Sequence, residues 1–388
     1  MNLDTVFSSP RELLITCAPG VEEILLDELV KLGLHRGRKL RASCIAIELG
    51  VDGLLHLIEN SRVASRVLLP LREFAAHNSE MLYDQVRRIP WPEIFSLDMT
   101  FRVECHGQFP ENIKASFAPL KIKDALCDEF RKRSQDLRPS VSNDNPDVQI
   151  EAFFEQGRCE ISIDLCGFPL HRRGYRLEGA EAPLREDRAA ALLEFCGYRG
   201  QEVLIDPFCG SGTIPIEAAL SLKSLPFRTR EYTTQLSLFR FFPDLSRQGN
   251  QTQVQLKRES FQKIYGSDLD SRSLEKAQEN ARRAGVDDWI TFEQRNALEI
   301  AAENPENTLI LANPPYGERI SEKTEARELI ANFVSHLKKN VAPTRLGIIV
   351  SDDLKDALGL RPQRQATLRS GSLKLKMMYF EIRKGSFK

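Results

Sequence analysis

The sequence predicts an α/β protein whose C-terminal half is built on an open, mostly parallel sheet. Two stretches predict it: Val203–Pro215 (VLIDPFCGSGTIP) and Leu309–Gly317 (LILANPPYG) each begin as an apolar strand and end in a polar turn. Helical and strand patterns alternate between them, which is typical of βαβ units. In such a sheet the turns that follow the strands share one edge, where ligands bind. We therefore expect these two turns to lie side by side.

The composition is that of a globular protein of two or three domains. The 388 residues are 41% hydrophobic and 28% charged, with a formal net charge of −1. No apolar run approaches the roughly 18 residues of a membrane span, and the N-terminus lacks a secretory pattern. The eight cysteines are dispersed without a C-x-x-C pair. We expect a cytoplasmic protein that has no metal site and no membrane association.

The first 61 residues predict a small α+β unit. An apolar run at Leu13–Cys17 precedes a helix that Gly33 ends. Apolar residues alternate over Ser43–Leu49, and a short helix follows at Gly53–Glu59. The order β-α-β-α is that of a ferredoxin-like unit, which we interpret as a packing platform.

Residues 62–168 predict a second α+β unit that carries a basic helix. Residues 99–105 alternate as a strand, and two further strands flank a hairpin turn at Glu155–Arg158. The basic residues of the predicted helix, Lys114–Arg133, include Lys114, Lys121, Lys123, Arg131, Lys132 and Arg133. Such a helix is compatible either with phosphate contacts or with an ordinary solvated surface.

A polar segment, HRRGYRLEGAEAPLRE at residues 171–186, leads into a helix that is expected to start after Pro183. Its arginine-rich beginning holds Arg173 and Tyr175, which could grip a phosphate and stack on a base. The same residues could equally form a surface between domains.

The turn DPFCGSGT at residues 206–213 suits a ligand that carries an ammonium group. Gly210 and Gly212 permit positive φ and let a ligand approach the backbone closely. A dinucleotide-binding G-x-G-x-x-G would need a third glycine where Pro215 stands, and a phosphate-binding P-loop would need a lysine that is absent. Asp206 beside a glycine-rich turn suits S-adenosylmethionine, whose methionine part has an ammonium group.

Two later strands end in side chains suited to a nucleoside. Asp268 stands where an acidic residue binds a ribose diol in nucleotide-binding folds, while Asp270 is expected to cap the next helix. The amide oxygen of Asn296 can accept a hydrogen bond from an adenine amino group. Residues 225–261 exceed a typical connection, and we interpret them as a locally packed insertion.

The turn Asn313–Gly317 predicts the site of the reaction. The Asn313 side-chain oxygen and the Pro314 carbonyl could accept hydrogen bonds from an exocyclic amine, which would localise the lone pair that the ring otherwise delocalises. Tyr316 supplies a face on which an extruded base can stack. In-line methyl transfer then needs mainly proximity and alignment.

The basic helix has a further feature, the pattern KAS…KDA at Lys114–Ser116 and Lys123–Ala125. It resembles the THUMP domain found in RNA-modifying enzymes, and this resemblance implies that the region binds structured RNA. The RNA contacts then expected are Lys114, Lys121, Lys123, Arg173 and Tyr175.

Nearly the whole chain resembles the THUMP-containing RNA guanine-N2 methyltransferases, through HRRGY, EAPLRE, DPFCGSGT, GSDLD and NPPYGER. The resemblance implies ferredoxin-like (1–61) and THUMP (62–168) domains, followed by a Rossmann-like class I methyltransferase domain (169–388) with a seven-stranded sheet. Some members carry a second methyltransferase domain, which we do not expect here. The residues implied to bind S-adenosylmethionine are Asp206, Phe208, Gly210, Gly212, Thr213, Asp268, Leu269, Asn296, Ala297 and Asn313. Those implied to be catalytic are Asn313, Pro314 and Tyr316.

The most similar members are bacterial enzymes that modify a guanosine of large-subunit (23S) ribosomal RNA, so the expected partner is that RNA or a ribosome assembly intermediate. The family usually has Asp where Asn296 stands here, which weakens that assignment. A tRNA guanine-N2 methyltransferase, an adenine-N6 DNA methylase and a non-catalytic RNA-binding factor are the alternatives.

Overall fold

The computed structural model describes residues 9–176, 184–223, 261–317, 320–371 and 373–384. These residues cluster into two compact units. The first contains the described residues up to Thr16 together with Leu29–Leu170, and the second contains Cys17–Glu28 and the described residues from His171 onward. Except for Phe261, the predicted insertion at 225–261 lies outside the described residues.

Up to residue 170 the structure has seven strands and four α-helices among the described residues. In chain order they are β1 (Arg11–Thr16), α1 (Glu22–Lys31), β2 (Arg38–Arg41), β3 (Cys44–Leu49), α2 (Val51–Asn60), β4 (Arg66–Ala75), α3 (Ser79–Arg87), β5 (Phe101–Gly107), α4 (Ala118–Arg133), β6 (Val148–Glu155) and β7 (Arg158–Asp164).

The seven strands form one sheet in the order β2-β3-β1-β4-β7-β6-β5. All neighbours are antiparallel except β5 and β6. The predicted hairpin is confirmed as β6 and β7, with Glu155 opposite Arg158. Leu14 of β1 lies opposite Leu68 of β4, so strands from the stretches 1–61 and 62–168 share a single sheet.

Helix α4 begins at Ala118, four residues later than the sequence predicted. Residues 114–117 form a turn in which the amides of Phe117 and Ala118 both donate to the Lys114 carbonyl, at 2.9 and 3.1 Å. Pro119 then lies at the start of the helix, where its missing N–H costs little.

The second unit holds the predicted parallel sheet. From residue 184 the described elements are α5 (Glu186–Cys196), β8 (Val203–Asp206), α6 (Thr213–Leu222), β9 (Ile264–Asp268), α7 (Ser271–Ala284), β10 (Ile290–Gln294), β11 (Thr308–Ala312), α8 (Ile320–His336), β12 (Thr344–Ser351), β13 (Arg364–Ser370) and β14 (Leu373–Ile382).

The order of this sheet is β10-β9-β8-β11-β12-β14-β13. The first five strands are parallel, and β14 is antiparallel to both β12 and β13. The predicted seven-stranded sheet is therefore confirmed. Strand β8 pairs with β9 on one side and with β11 on the other, so the turns after these three strands share an edge.

Helix α8 carries much of the core on one face of this sheet. Ile330, Phe333 and Val334, together with Leu337 directly after the helix, recur at helical spacing and are buried. They pack in a cluster with sheet residues such as Ile348. Truncating a buried phenylalanine such as Phe333 to alanine costs about 3–5 kcal/mol. None of the described helices is both long and apolar enough to cross a bilayer.

Candidate active site

A cavity of about 740 Å³ opens where β8, β9, β10 and β11 end. This volume is within the range of small-molecule binding sites. The sequence-predicted residues that line it are Asp206, Phe208, Gly210, Thr213, Asp268, Leu269, Asn296, Ala297 and Asn313. The structure thus brings residues from four separate turns to one cavity.

The turn between β8 and α6 has the backbone shape that its glycines predict. Gly210 has φ of 51° and Gly212 has φ of 85°, both in the left-handed region. A Cβ atom at Gly212 would lie 3.0 Å from the Ala277 Cβ, whereas one at Gly210 would meet no atom within 4 Å. Gly212 is therefore required for packing, and Gly210 leaves open space beside the cavity.

Asp206 ends β8 with its side chain almost fully buried, at 1% exposure. The carboxylate accepts one hydrogen bond, from the Phe208 amide at 3.1 Å. Burial raises the pKa of Asp206 well above its usual value, and the nearby charge of Asp268 raises this pKa further. A cationic group in the cavity would favour the ionised form, so this carboxylate is suited to bind one.

Asp268 and Leu269 lie at the end of β9, on the same edge. The Asp268 carboxylate accepts from the amides of Gly210 at 2.9 Å and Asp270 at 3.0 Å, and these bonds fix its position at the rim. Leu269 is 64% exposed although it is a large apolar residue. A flat apolar ligand face placed against Leu269 would shield it from water.

Asn296 lies beyond β10, where its side-chain oxygen caps the short helix Ala297–Glu299 by accepting from the Leu298 amide at 3.0 Å. An amide oxygen has two lone pairs, so the cap still leaves one for a ligand. Ala297 is buried at the cavity wall.

Asn313 follows β11 directly and lines the cavity together with Pro315. The hydroxyl of the half-buried Tyr316 donates a hydrogen bond to the Asn313 side-chain oxygen, and burial raises the pKa of Tyr316. Pro314 is buried, and neither Pro314 nor Tyr316 lines the cavity. The structure thus gives Tyr316 a contact that holds Asn313, and its stacking on a base stays a prediction.

Sequence reasoning missed one wall of the cavity. Arg272, Ser273 and Lys276 line it from the start of α7. The signal was available, because residues three and four apart in a helix share a face. Asp270 also lines the cavity while it caps α7, accepting from the Arg272 amide at 3.2 Å; the predicted cap is confirmed.

The structure corrects the assignment of Arg173 and Tyr175 as RNA contacts. Both are buried, at 5% and 3% exposure. The Tyr175 hydroxyl donates to the Glu217 carboxylate at 3.1 Å, and the Arg173 guanidinium lies 3.5 Å from the same carboxylate. Their polar groups therefore face Glu217 on α6 and not the solvent. Glu217 is itself buried, and a buried charge requires such partners.

Of the three lysines predicted to contact RNA, Lys114 lies in the turn before α4, and Lys121 and Lys123 lie in the first half of α4. Lys114 is exposed. Lys121 lies 4.9 Å from the centre of the Tyr83 ring. Lys123 is ion-paired to Asp124 at 2.8 Å, so its charge is already partly neutralised.

Among the described residues, one cluster on the first sheet has the side-chain types and spacing of metal ligands. It consists of Glu104, His106 and Glu151. His106 lies 3.0 Å from the Glu151 carboxylate, and hydrogen bonds to Glu104 and Glu151 raise the pKa of His106 to about 9. Arg66 lies 3.8 and 3.9 Å from the two carboxylates. Protonated His106 and Arg66 therefore supply positive charge to this cluster.

Comparison with known families now places the chain. Residues 173–378, whose described part lies in the second unit, match the RMKL-like methyltransferase domain. The chain belongs to the RMKL-like methyltransferase family. Residues 76–164 match the THUMP domain, and residues 12–68 match the RlmL ferredoxin-like domain.

Three relatives show how far the similarity extends. The chain is 33% identical over 98% of its length to a ribosomal RNA large subunit methyltransferase K/L from Syntrophotalea carbinolica, and covers 55% of that protein. It thus spans about half the length of this curated relative. A possible methylase from Clostridium difficile 630 has a TM-score of 0.80 at 27% identity, with 98% and 100% of the two chains covered. A predicted N6-adenine-specific DNA methylase from Listeria monocytogenes has a TM-score of 0.77 at 25% identity, with 97% of this chain and 98% of that chain covered.

Proposed function

We propose that this chain transfers a methyl group from S-adenosylmethionine to the exocyclic N2 amine of a guanosine in 23S ribosomal RNA. The observation that carries the proposal is the shared cavity, in which Asn313 from the turn after β11 joins Asp206 and Gly210 from the turn after β8. The name of the Syntrophotalea relative supports large-subunit ribosomal RNA as the substrate.

The cofactor is S-adenosylmethionine, and the cavity offers a partner for each of its parts. Asp206 is the counterion of the ammonium group. Burial alone disfavours the ionised form of Asp206, and a cation beside the carboxylate offsets that cost. Asp268 holds the ribose diol. Leu269 and Ala297 enclose the adenine ring, and Asn296 accepts from its amino group.

The reaction is an in-line displacement at the methyl carbon. The Asn313 side-chain oxygen and the Pro314 carbonyl each accept a hydrogen bond from one N–H group of the guanine amine. These hydrogen bonds localise the lone pair of the amine nitrogen. The cofactor would supply an electrophilic methyl carbon. The amine lone pair would form the C–N bond as the S–C bond breaks, and the electrons of that S–C bond would stay on sulfur as a neutral thioether. The methylated amine then loses one proton to solvent.

Tyr316 positions the acceptor side of the site. Its hydroxyl donates to the Asn313 side-chain oxygen, which directs that oxygen and leaves its second lone pair for the base. The first unit supplies the RNA contacts, with Lys114 and Lys121 as the leading residues and Lys123 as a weaker one.

Methyl transfer to defined nucleic acids tests this proposal. The purified chain is incubated with methyl-labelled S-adenosylmethionine and with 23S rRNA, tRNA or duplex DNA, each unmodified, and the products are digested to nucleosides for mass spectrometry. We expect N2-methylguanosine from 23S rRNA alone. Three other outcomes would contradict the proposal. N2-methylguanosine from tRNA would indicate a tRNA methyltransferase, and N6-methyladenine from DNA would indicate a DNA methylase. Cofactor binding without transfer would indicate a non-catalytic RNA-binding factor.

A further inference from the structure

The turn that precedes α4 exposes an aromatic side chain beside a lysine. Lys114, Ala115, Ser116 and Phe117 are four consecutive exposed residues. Phe117 is 60% exposed and Leu120, one turn further, is 50% exposed. The buried Ile113 and Ala118 on either side anchor the segment. Two large apolar side chains held in water next to each other indicate a surface that a ligand covers.

Lys114 lies beside Phe117, and two further basic side chains lie against an aromatic ring of α3. The Lys114 Nζ lies 6.0 Å from the centre of the Phe117 ring. On α3, the Tyr83 ring has the Lys121 Nζ at 4.9 Å and the Arg87 guanidinium at 5.7 Å. The Tyr83 hydroxyl donates to Asp128, which fixes the ring. Aromatic rings interleaved with basic side chains are the pattern that binds single-stranded nucleic acid.

The start of α4 adds a place for a phosphate. Phe117 is the N-cap residue, and its side chain makes no capping hydrogen bond. The first turn of this 16-residue helix contains no acidic residue. The amides of Phe117 and Ala118 are already bonded to the Lys114 carbonyl and Pro119 has no N–H, so the helix contributes through its dipole. The positive end of this dipole lies beside Lys114 and favours an anion there.

We propose that Lys114, Phe117 and Leu120 form a subsite for an unpaired RNA nucleotide, with the base stacked on Phe117 and its phosphate at Lys114 and the start of α4. This inference rests on the proposed RNA substrate and names the feature of that RNA which the first unit binds. A paired base offers no free face to Phe117, so the subsite selects single-stranded segments such as loops, bulges or ends.

Fluorescence anisotropy with the full chain tests the subsite. The probes are a labelled single-stranded RNA of eight mixed nucleotides and an RNA duplex of the same length, each titrated over a series of salt concentrations. For Phe117→Ala we expect about tenfold weaker binding of the single strand, because one stacked base contributes roughly 1–3 kcal/mol. Duplex affinity and the salt dependence of single-strand binding should stay unchanged.

Two variants complete the comparison. Phe117→Trp keeps a stacking face and should restore single-strand affinity, which separates a lost base contact from a damaged fold. Lys114→Ala should lower the slope of log affinity against log salt by about 0.7, as expected for one phosphate contact to a single strand. Val30→Ala, which truncates another exposed apolar residue (56% exposed) on α1, is the matched control and should change neither affinity.

The result that would overturn the proposal is an unchanged single-strand affinity in Phe117→Ala, or an equal loss for single strand and duplex. An unchanged single-strand affinity would indicate that Phe117 and Leu120 contact a protein partner instead of RNA. These outcomes are distinct from failure of the proposed reaction, since that is measured by methyl transfer. A chain that binds single-stranded RNA through Phe117 and methylates no guanine would retain the subsite and lose the proposed reaction.

Discussion

At the scale of single residues, the hydrogen bond between Tyr316 and Asn313 determines how the acceptor base is held. An asparagine amide can present either its oxygen or its nitrogen to a ligand, and only the oxygen accepts from an amine. Since the Tyr316 hydroxyl donates to that oxygen, the bond fixes which end of the amide lies where. The pair therefore acts together, although only Asn313 lines the cavity.

We expect Asn313→Ala to lower kcat by about 100- to 1000-fold, which is the usual cost of removing one oriented polar group from a reacting centre. Tyr316→Phe should lower kcat by a smaller factor, because the amide remains and only its orientation is freed. Cofactor affinity, measured by calorimetry, should stay the same in both. Asn307→Ala removes an exposed amide that donates to the Gln201 carbonyl, and it should have full activity. Full activity in Asn313→Ala would exclude this residue from the mechanism.

Asp206 predicts a pH dependence of cofactor binding. Its pKa is raised by burial, so the carboxyl is protonated at a pH where an ordinary aspartate is ionised. The ammonium of the cofactor favours the ionised form, and affinity should therefore rise with pH until the raised pKa of the free protein is passed. Calorimetric titrations between pH 5 and pH 8 measure this. Asp206→Asn should flatten the profile and weaken binding about 10- to 100-fold.

The same substitution should stabilise the protein without cofactor. Because the pKa of Asp206 is higher in the folded than in the unfolded chain, stability falls as pH rises from the usual carboxyl range through the raised pKa. Asp206→Asn removes this cost, so its Tm without cofactor should exceed that of the parent at pH 7.5, while its gain in Tm on adding cofactor should be smaller. A lower Tm without cofactor would contradict the assignment of a raised pKa.

At the scale of secondary-structure elements, β5 and β6 carry a charged network on one face of the first sheet. His106 and Glu104 belong to β5 and Glu151 lies opposite Glu104 on β6. Arg66, Arg102 and the buried Asp164 complete it. A hydrogen bond from His106 lowers the pKa of Glu104 to about 2, and the same contact together with Glu151 raises the pKa of His106 to about 9.

These opposite shifts predict how the network stabilises the sheet at different pH values. The contribution of His106 is fully present below its usual pKa of 6.5 and is lost as pH rises through about 9. His106→Gln should therefore lower Tm at pH 6 and have little effect at pH 10. Because the side chain of His106 is 58% exposed, solvent screening limits the loss to about 1 kcal/mol or less. His35→Gln, which makes the same change at an exposed histidine outside this network, serves as the control.

The elements that sequence reasoning predicted well are those whose signals are local in the sequence. Strands β8 and β11 are short apolar runs that are mostly buried, and helix α7 begins at the cap that Asp270 predicts. Strand β2 was not predicted, because its sequence RKLR is exposed or half-exposed and carries no apolar alternation. Arg173 and Tyr175 were misplaced for a different reason. Their shared partner, Glu217, lies more than 40 residues further along the chain, and a polar segment gives no sign of such a pairing.

At the scale of the whole molecule, the two proposed tasks belong to separate compact units. The lysines of α4 belong to the first unit, and every residue that lines the cavity belongs to the second. The sequence predicts a boundary between residues 168 and 169, where its pattern changes. It did not show that β1 and β4 join the first two predicted domains in one sheet, since strand pairing depends on contacts between distant residues.

This division predicts that RNA affinity and cofactor affinity can be changed separately. Replacing Lys121 and Lys123 by glutamate should weaken RNA binding at least tenfold at low salt, and the loss should shrink as salt is added. Cofactor affinity should not change. Lys338→Glu with Lys339→Glu makes the same change of charge on the second unit and serves as the control. If RNA affinity is unaffected by the first pair, α4 is not the contact surface.

The direct pairing of β8 with β11 has a consequence for how this chain tolerates change. The gap across which the methyl group travels is set by the spacing of two adjacent strands, about 4.8 Å, and not by the polypeptide that separates them in sequence. Insertions in an intervening loop that does not line the cavity, such as residues 285–289 between α7 and β10, should leave catalysis intact. A one-residue deletion inside β11 would instead turn Asn313 to the opposite side of the sheet, and so abolish transfer from a cofactor that still binds.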